Sequence, residues 1–429
     1  MMTNALSICA SNVEMSIVCR NVSKELRSTC DYYRKSLLAT NVSNLGSIAR
    51  MLTPNLIDID ASCTDIQQDD RLVDLAPLAG CTGLTSIKLS CTRVTDVSAL
   101  ASCTGLTHLD LRTTNVIDLS ALASCTGLTS LDLSETNVSD LSALAYCTGL
   151  TRLDVSCTRN VTDMSPLANC TRLSHLDITE LYCVTDVSAL RNCTALTYLD
   201  MNGCDEITDV SALRNCTALT YLDMNGCENT DVSALRNCTA LTYLGMNGNE
   251  TTDVSALASC TALTYLDISD TYVIDVSALA NLTGLTSLNL SRTYVIDLSA
   301  LASCTGLTHL DLRANNIYDL SPFNFTRLVE IKLANNTKLI DVSALASCTG
   351  LTNLDLSITS VADVSPLANC TGLTNLNISD TNVIDVSALA SCTGLTRLDI
   401  ADTNVIDLSA LARCTGLTIY KTRRVQVFL

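Results

Sequence analysis

Apolar and polar residues alternate through Leu106-Thr107-His108-Leu109-Asp110-Leu111, with leucine at the first, fourth and sixth places. The end of that run has the two-residue period of a half-buried strand. Beyond it, Val116, Leu119, Leu122 and Cys125 recur at intervals of three, too short for a regular helix and right for a 3-10 turn. Between strand and turn lies a polar bend at Thr114, with counterparts at Thr136, Cys204, Cys227, Asn249, Asn315 and Asn336. Such side chains can hydrogen-bond the backbone of a neighbouring loop, which predicts a ladder inside the bend. The unit returns every 22 or 23 residues, sixteen times from about Asp74 to the C-terminus. A unit this short cannot bury its own apolar face, so the copies must stack into an elongated solenoid that presents a surface.

The pattern Leu-x-x-Leu-x-Leu-x-x-(Asn/Thr/Cys)-x-(Val/Ile)-x-x-(Leu/Val)-x-x-Leu-x-x-Cys, over roughly residues 72–418, closely resembles the leucine-rich-repeat superfamily. Its Asp-x-Ser-(Ala/Pro)-Leu-Ala-(Ser/Asn) turn resembles the class found in bacterial internalins and in the regulatory subunit of protein phosphatase 1. The resemblance implies an α/β fold, a curved solenoid with a parallel sheet on its concave face, a 3-10 or irregular convex side, and a protein ligand on the concave face. The chain departs from the pattern in having Cys where Leu is usual after the turn, and Thr more often than Asn in the bend.

Three regions follow. Residues 1–55 read as a helical N-terminal cap, because Val18, Val22, Leu26, Cys30, Tyr33 and Leu37 share one helical face. Within it, Met15 to Val22 faintly resembles the second half of an F-box, without that motif's opening Leu-Pro. Residues 56–418 form the solenoid, starting from a degenerate strand at 56–66, and residues 419–429 read as a closing segment.

Repeated chemistry is first a matter of scaffold. An aspartate opens the turn in all sixteen copies, Asp96 and Asp253 among them, as an N-cap accepting the turn's unpaired N–H groups would. Pro77, Pro166, Pro322 and Pro366 each stand three residues after it, where a fixed φ is tolerated. The recurring cysteine is replaced by Leu282 and Phe325 in two copies, substitutions that suit a core position and not a ligand or redox position. Rungs ~4.8 Å apart also sit slightly beyond the ~3.5–4.5 Å Cβ separation of a relaxed disulfide, so the cysteines read as reduced filler. His108, His175 and His309 are three or more rungs apart, too far to share a metal. Asp200-Met201-Asn202-Gly203 only echoes a calcium loop. No cofactor, metal site or catalytic group is expected.

Outward strand positions carry what specificity there is. The third strand place holds Tyr198, Tyr221, Tyr243 and Tyr265 in consecutive copies, and tyrosine is enriched in binding hot spots. Beside them stand Asp200, Asp223 and Asp267, interrupted by Gly245, and then Asn202, Asn225 and Asn247. The 23-residue spacings from Cys147 to Cys216 lengthen the loops next to this stripe. Two readings stand: a binding site, or the relic of a recent duplication. The largely acidic fifth column, Asp110 to Asp399, is either matched by a cationic ligand or a solvated face.

A net charge of −18 argues against nucleic acid and anionic membrane and points to a basic or polar protein partner. Residues 1–19 have no basic residue ahead of an apolar run, which predicts an intracellular, cytoplasmic chain. The Asn-Cys-Thr sequons at Asn192 and Asn215 then read as by-products of the repeat. The expected function is a non-catalytic protein-interaction scaffold. The alternatives are a ubiquitin-ligase substrate receptor docking through residues 1–55 and, lower, a surface or secreted adhesin.

Overall fold

The computed structural model describes residues 36–38, 45, 56–63, 72–228, 231–322, 326–422 and 425–428. The chain divides into two compact units, Met1–Leu219 and Thr220–Leu429. In the first, strands from Ser36–Leu38 and Asp58–Asp60 through Tyr198–Asp200 pair in parallel. In the second, strands from Tyr221–Asp223 through Arg397–Asp399 and Thr418–Thr422 pair in parallel, and Val425–Phe428 closes the edge antiparallel. The repeats' strands are only three residues long, with the middle residue inward, as in His108–Asp110. Slipping a strand by one residue would turn its leucine out to solvent, so the hydrophobic pattern pins the register.

The return path is a row of 3-10 turns such as Ser120–Ser124, as the three-residue spacing predicts. Leu106, Leu109, Leu111, Val116, Leu119, Leu122 and Cys125 are each 3% exposed or less. Each repeat therefore adds a thin aliphatic layer whose burial stabilises only when its neighbour is present.

In all sixteen copies the turn aspartate accepts the N–H of the residue two places on. Its position differs from a simple N-cap. In Ser98–Ser102 the cap residue is Val97, with Asp96 one place earlier, still reaching Ser98 N–H at 2.7 Å. Among the described 3-10 turns, only in Val232–Asn237, which is one residue longer, is the aspartate, Asp231, itself the cap. The prolines sit in the first turn positions at Pro77, Pro166 and Pro366.

The bend also differs from a uniform ladder. Thr114 and Thr136 donate to carbonyls of their own repeats, Leu111 O at 2.6 Å and Leu133 O at 2.7 Å. Asn315 and Asn336 are long enough to bridge, each donating to its own repeat and to the one before. Most bend threonines close on their own repeat, whereas Asn315 and Asn336, like Thr158 through Leu133 O, tie a repeat to the one before. Just ahead of the bend residue the backbone takes a positive φ, as at Thr113 (φ 55), while its N–H bonds the next repeat at Ser134 O. In the middle repeats Gly203, Gly226 and Gly248 take that place and relieve the strain.

The residues expected to form a capping helix lie outside the described residues up to 35, and so does the F-box-like stretch. Within 1–55, Ser36–Leu38 are described and form a strand paired with Asp58–Asp60. Strand pairing extends past the degenerate repeat, where helical periodicity predicts an amphipathic face. Phe325 also lies outside the described residues.

Candidate functional site

The predicted tyrosine stripe falls partly in each unit. In the first, Tyr198 stacks on His175 with ring centroids 4.0 Å apart, and its hydroxyl lies 3.3 Å from Asp200 Oδ2. In the second, Tyr221, Tyr243 and Tyr265 form a continuous stack, 4.3 and 4.4 Å between centroids and within 10° of parallel. The register explains the stack. Tyr243 pairs directly with Tyr221 on one side and Tyr265 on the other, so the rings take the rung spacing of the sheet. All three are half-buried.

Gly245 breaks the acidic column for a reason the sequence hides. A Cβ there would meet Asp223 Oδ1 at 2.9 Å and the Asn225 amide at 3.0 Å. Most repeats use the fifth-column Asp to accept the N–H two residues on, as Asp223 does from Asn225 at 3.0 Å. With glycine at 245 that acceptor is missing, and Asn225 Oδ1 of the preceding repeat takes the Asn247 N–H instead, at 2.6 Å. Asn247 in turn donates to Ser269 Oγ at 2.7 Å. Asp223 is enclosed, and the Tyr243 hydroxyl lies 3.4 Å from its Oδ2. Burial, then the neighbouring Asp223 carboxylate, pushes the Tyr243 hydroxyl well above the usual phenol range, and burial also raises Tyr265. The stack therefore presents protonated hydroxyl donors beside carboxylate acceptors.

The sheet face has hollows that the sequence reading missed. One of about 210 Å³ begins at Tyr265 and is lined by Ser287, Asn289, His309, Asp311, Glu330 and Lys332. A larger one of about 360 Å³ follows, bounded by Lys332, Asn353, Asn375, Arg397 and Asp399. Of the lining residues, Asp311 pairs with Arg313 at 2.7 Å and Lys332 with Glu330 at 2.8 Å. Short side chains at Ser287, Asn353 and Asn375 open the hollows beside the longer tyrosines. The available signal was the drop in side-chain size along the third column after Tyr265.

The BspA type leucine rich repeat region matches residues 76–168, 232–322 and 296–418. The chain belongs to that family. A two-copy leucine rich repeat pattern also matches residues 194–237. Among solved structures, a leucine-rich-repeat protein of Leptospira interrogans is similar over 92% of this chain and 98% of its own, with a TM-score of 0.69 at 15% identity. The functional domain of InlJ from Listeria monocytogenes, described as including a cysteine ladder, is similar over 86% and 72%, with a TM-score of 0.63 at 22% identity. The plant peptide hormone receptor RGFR1, solved in complex with RGF2, is similar over 88% and 75%, with a TM-score of 0.53 at 16% identity. At these identities the likeness is one of fold. No curated protein matches the chain.

This leucine-rich-repeat chain has a cysteine ladder of its own, and its described thiols are buried and not joined in disulfides. Cys125 Sγ lies 3.5 Å from Leu100 O of the repeat before, and Cys370 Sγ 3.5 Å from Leu345 O. Cysteine in place of leucine thus supplies a weak donor to a turn carbonyl as well as apolar volume. Burial pushes the Cys125, Cys147 and Cys170 thiols up to about 11, away from the thiolate that nucleophilic chemistry needs. Among the described residues no group of three or more His, Cys, Asp or Glu is placed to hold a metal ion, and no helix is long and apolar enough to cross a membrane.

Members of the two aspartate columns of the leucine-rich repeat respond to acid in opposite senses. The turn aspartates Asp96, Asp253 and Asp363 are held below the usual carboxylate range, first by the N–H two residues on. Their contribution is present above the unfolded-chain value and is lost as pH falls through the folded one. The sheet-face carboxyls Asp110, Asp154 and Asp177 are raised, first by burial, with neighbouring aspartates adding to it. They favour the fold when protonated, and that contribution disappears as pH rises through their folded values. Each of these three aspartates also caps the bend after its strand. Asn289 and Asn377 make the same bond without charge, each at 3.0 Å. Replacing Asp154 with Asn is therefore expected to raise stability at pH 7 by about 0.5 kcal/mol, with the gain vanishing near pH 3, where both forms are neutral. Urea midpoints at the two pH values check this, and an unchanged midpoint at pH 7 contradicts it.

Proposed function

We propose that the chain is a non-catalytic protein-interaction scaffold that holds a polar or basic peptide segment on the sheet face of its second unit. The stack of Tyr221, Tyr243 and Tyr265 carries this reading. It offers a large, rigid aromatic surface of the kind that anchors interfaces, and it borders the hollow that starts at Tyr265. Asp223 and Asp267 lie beside the rings, with Asn225 and Asn247 next to them. That mixture suits backbone amides and cationic side chains of an extended ligand better than a small metabolite. In the first unit, Tyr198 on His175, with Asp200 and the exposed Asn202, repeats the same chemistry on a smaller scale. The fold is shared with a plant peptide hormone receptor solved in complex with RGF2, which is consistent with peptide binding.

A reducing, intracellular setting fits the same picture. The buried thiols are spent on carbonyl contacts, and the sequon residues Asn192 and Asn215 use their amides to reach Ala168 O and Arg191 O in the preceding repeats. A glycan found on either asparagine in native material would contradict that placement.

The binding reading is tested with peptides selected against the full chain from a displayed library. Converting Tyr221, Tyr243 and Tyr265 together to Ala is expected to weaken the best peptide at least tenfold, about 1.4 kcal/mol. The matching Phe variant keeps the stack and most of the affinity. Equal affinity in the Ala variant and the wild type would remove the stack from the site.

A further inference from the structure

The residue immediately before the turn aspartate changes character along the chain without any change in its structural role. It is polar at Thr95, Ser139, Thr162, Thr185, Thr208 and Thr252, with isolated exceptions at Val73 and Ile117. From residue 274 onward it is Ile274, Ile296, Tyr318, Ile340, Ile384 and Ile406, with only the small Ala362 between. The large residues are 45–85% exposed, so the core does not require them. Repeats with threonine at this position fold in the same way, so the turn does not require isoleucine there either.

We propose that this edge of the second unit is a second docking surface, separate from the sheet face, and that it takes a basic amphipathic helix. Exposed large apolar side chains lined up in one row across consecutive repeats form a patch of the kind that is often functional, unlike singly scattered surface residues. Every member of the stripe is followed by an exposed aspartate, Asp275 through Asp407. The N–H two residues on holds each of these carboxylates in line, as Ser299 N–H does by donating to Asp297 Oδ1 at 2.8 Å. The result is a ridge of apolar side chains flanked by a row of negative charge, complementary to a partner with one apolar and one cationic face. A second copy of this chain would set two such rows of carboxylates against each other, which disfavours self-association through the ridge.

The spacing selects a helix over a strand. Backbone hydrogen bonds join adjacent repeats right beside the stripe, Tyr294 N–H to Val273 O at 3.0 Å and Asn382 N–H to Val361 O at 2.9 Å, so successive members lie about 5 Å apart. A helix laid along them advances about 5.4 Å per turn and meets one member with each turn. An extended chain repeats a face only every ~7 Å and drifts out of step. Over seven repeats the stripe runs ~30 Å, the length of a helix of about 20 residues. Tyr272 and Tyr294, exposed with rings 6.1 Å apart, widen its N-terminal end.

The test uses a fluorescent 20-residue Leu/Lys amphipathic peptide, its scrambled sequence and a Leu/Glu analogue, each titrated against the full chain. The variant carries Ile274→Thr, Ile296→Thr, Ile340→Thr, Ile384→Thr and Ile406→Thr, using the residue that other repeats hold at this position. The wild type is expected to bind the Leu/Lys peptide alone, and the Thr variant at least tenfold more weakly. The triple Tyr→Ala variant of the sheet face is expected to bind the peptide as the wild type does, which separates this surface from the other. Unchanged affinity in a folded Thr variant, checked by its melting curve, overturns the proposal, as does equal binding of the scrambled peptide. Self-association or phosphatidylcholine vesicle binding that the Thr variant abolishes, without peptide binding by the wild type, overturns it in favour of a second copy or a lipid surface.

Discussion

Register between neighbouring short strands is the constraint on which everything else rests. A three-residue strand has too few hydrogen bonds to persist alone, and its single inward leucine buries nothing without a neighbour. Once Leu244 is set beside Leu222 and Leu266, the outward residues on either side of it are also fixed in columns. Those columns turn a one-dimensional repeat into a two-dimensional surface.

The repeated polar letters serve that register. Turn aspartates satisfy N–H groups that the tight return would leave unpaired, most bend threonines close on their own carbonyls, and buried thiols contact the turn before them. These are local and weak interactions, and copying them many times makes the stack cumulative. The sheet-face aspartates show the cost of copying. They cap each bend, but they also crowd like charges along one face, and asparagine at two positions does the same work without the repulsion.

Much of the frame was legible because period two and period three follow directly from which residues must turn inward. Leu109, Leu122 and Cys125 announce their burial by position alone. The N-terminal boundary was harder. Val18 to Leu37 has helical spacing, yet Ser36–Leu38 is a strand, because pairing with Asp58–Asp60 is a tertiary fact that local periodicity does not contain. The tyrosines were visible as a column, whereas the role of Asn225 was not. It depends on Gly245 one repeat later, and only the three-dimensional register brings an amide to the N–H that glycine leaves uncapped. The hollows beyond Tyr265 were missed for a related reason, since an absence of bulk is defined by neighbouring repeats.

The central claim is a division between residues that hold the stack and outward residues that are free to specify a partner. A protease-resistance scan of one repeat, replacing each residue from Cys238 to Cys260 with alanine in the full chain, measures that division directly. The account predicts the largest losses at Leu241, Leu244 and Leu257, with Tyr243 losing about 1–2 kcal/mol, the scale of its two aromatic stacking contacts. A loss at Tyr243 as large as that at Leu244 would contradict it.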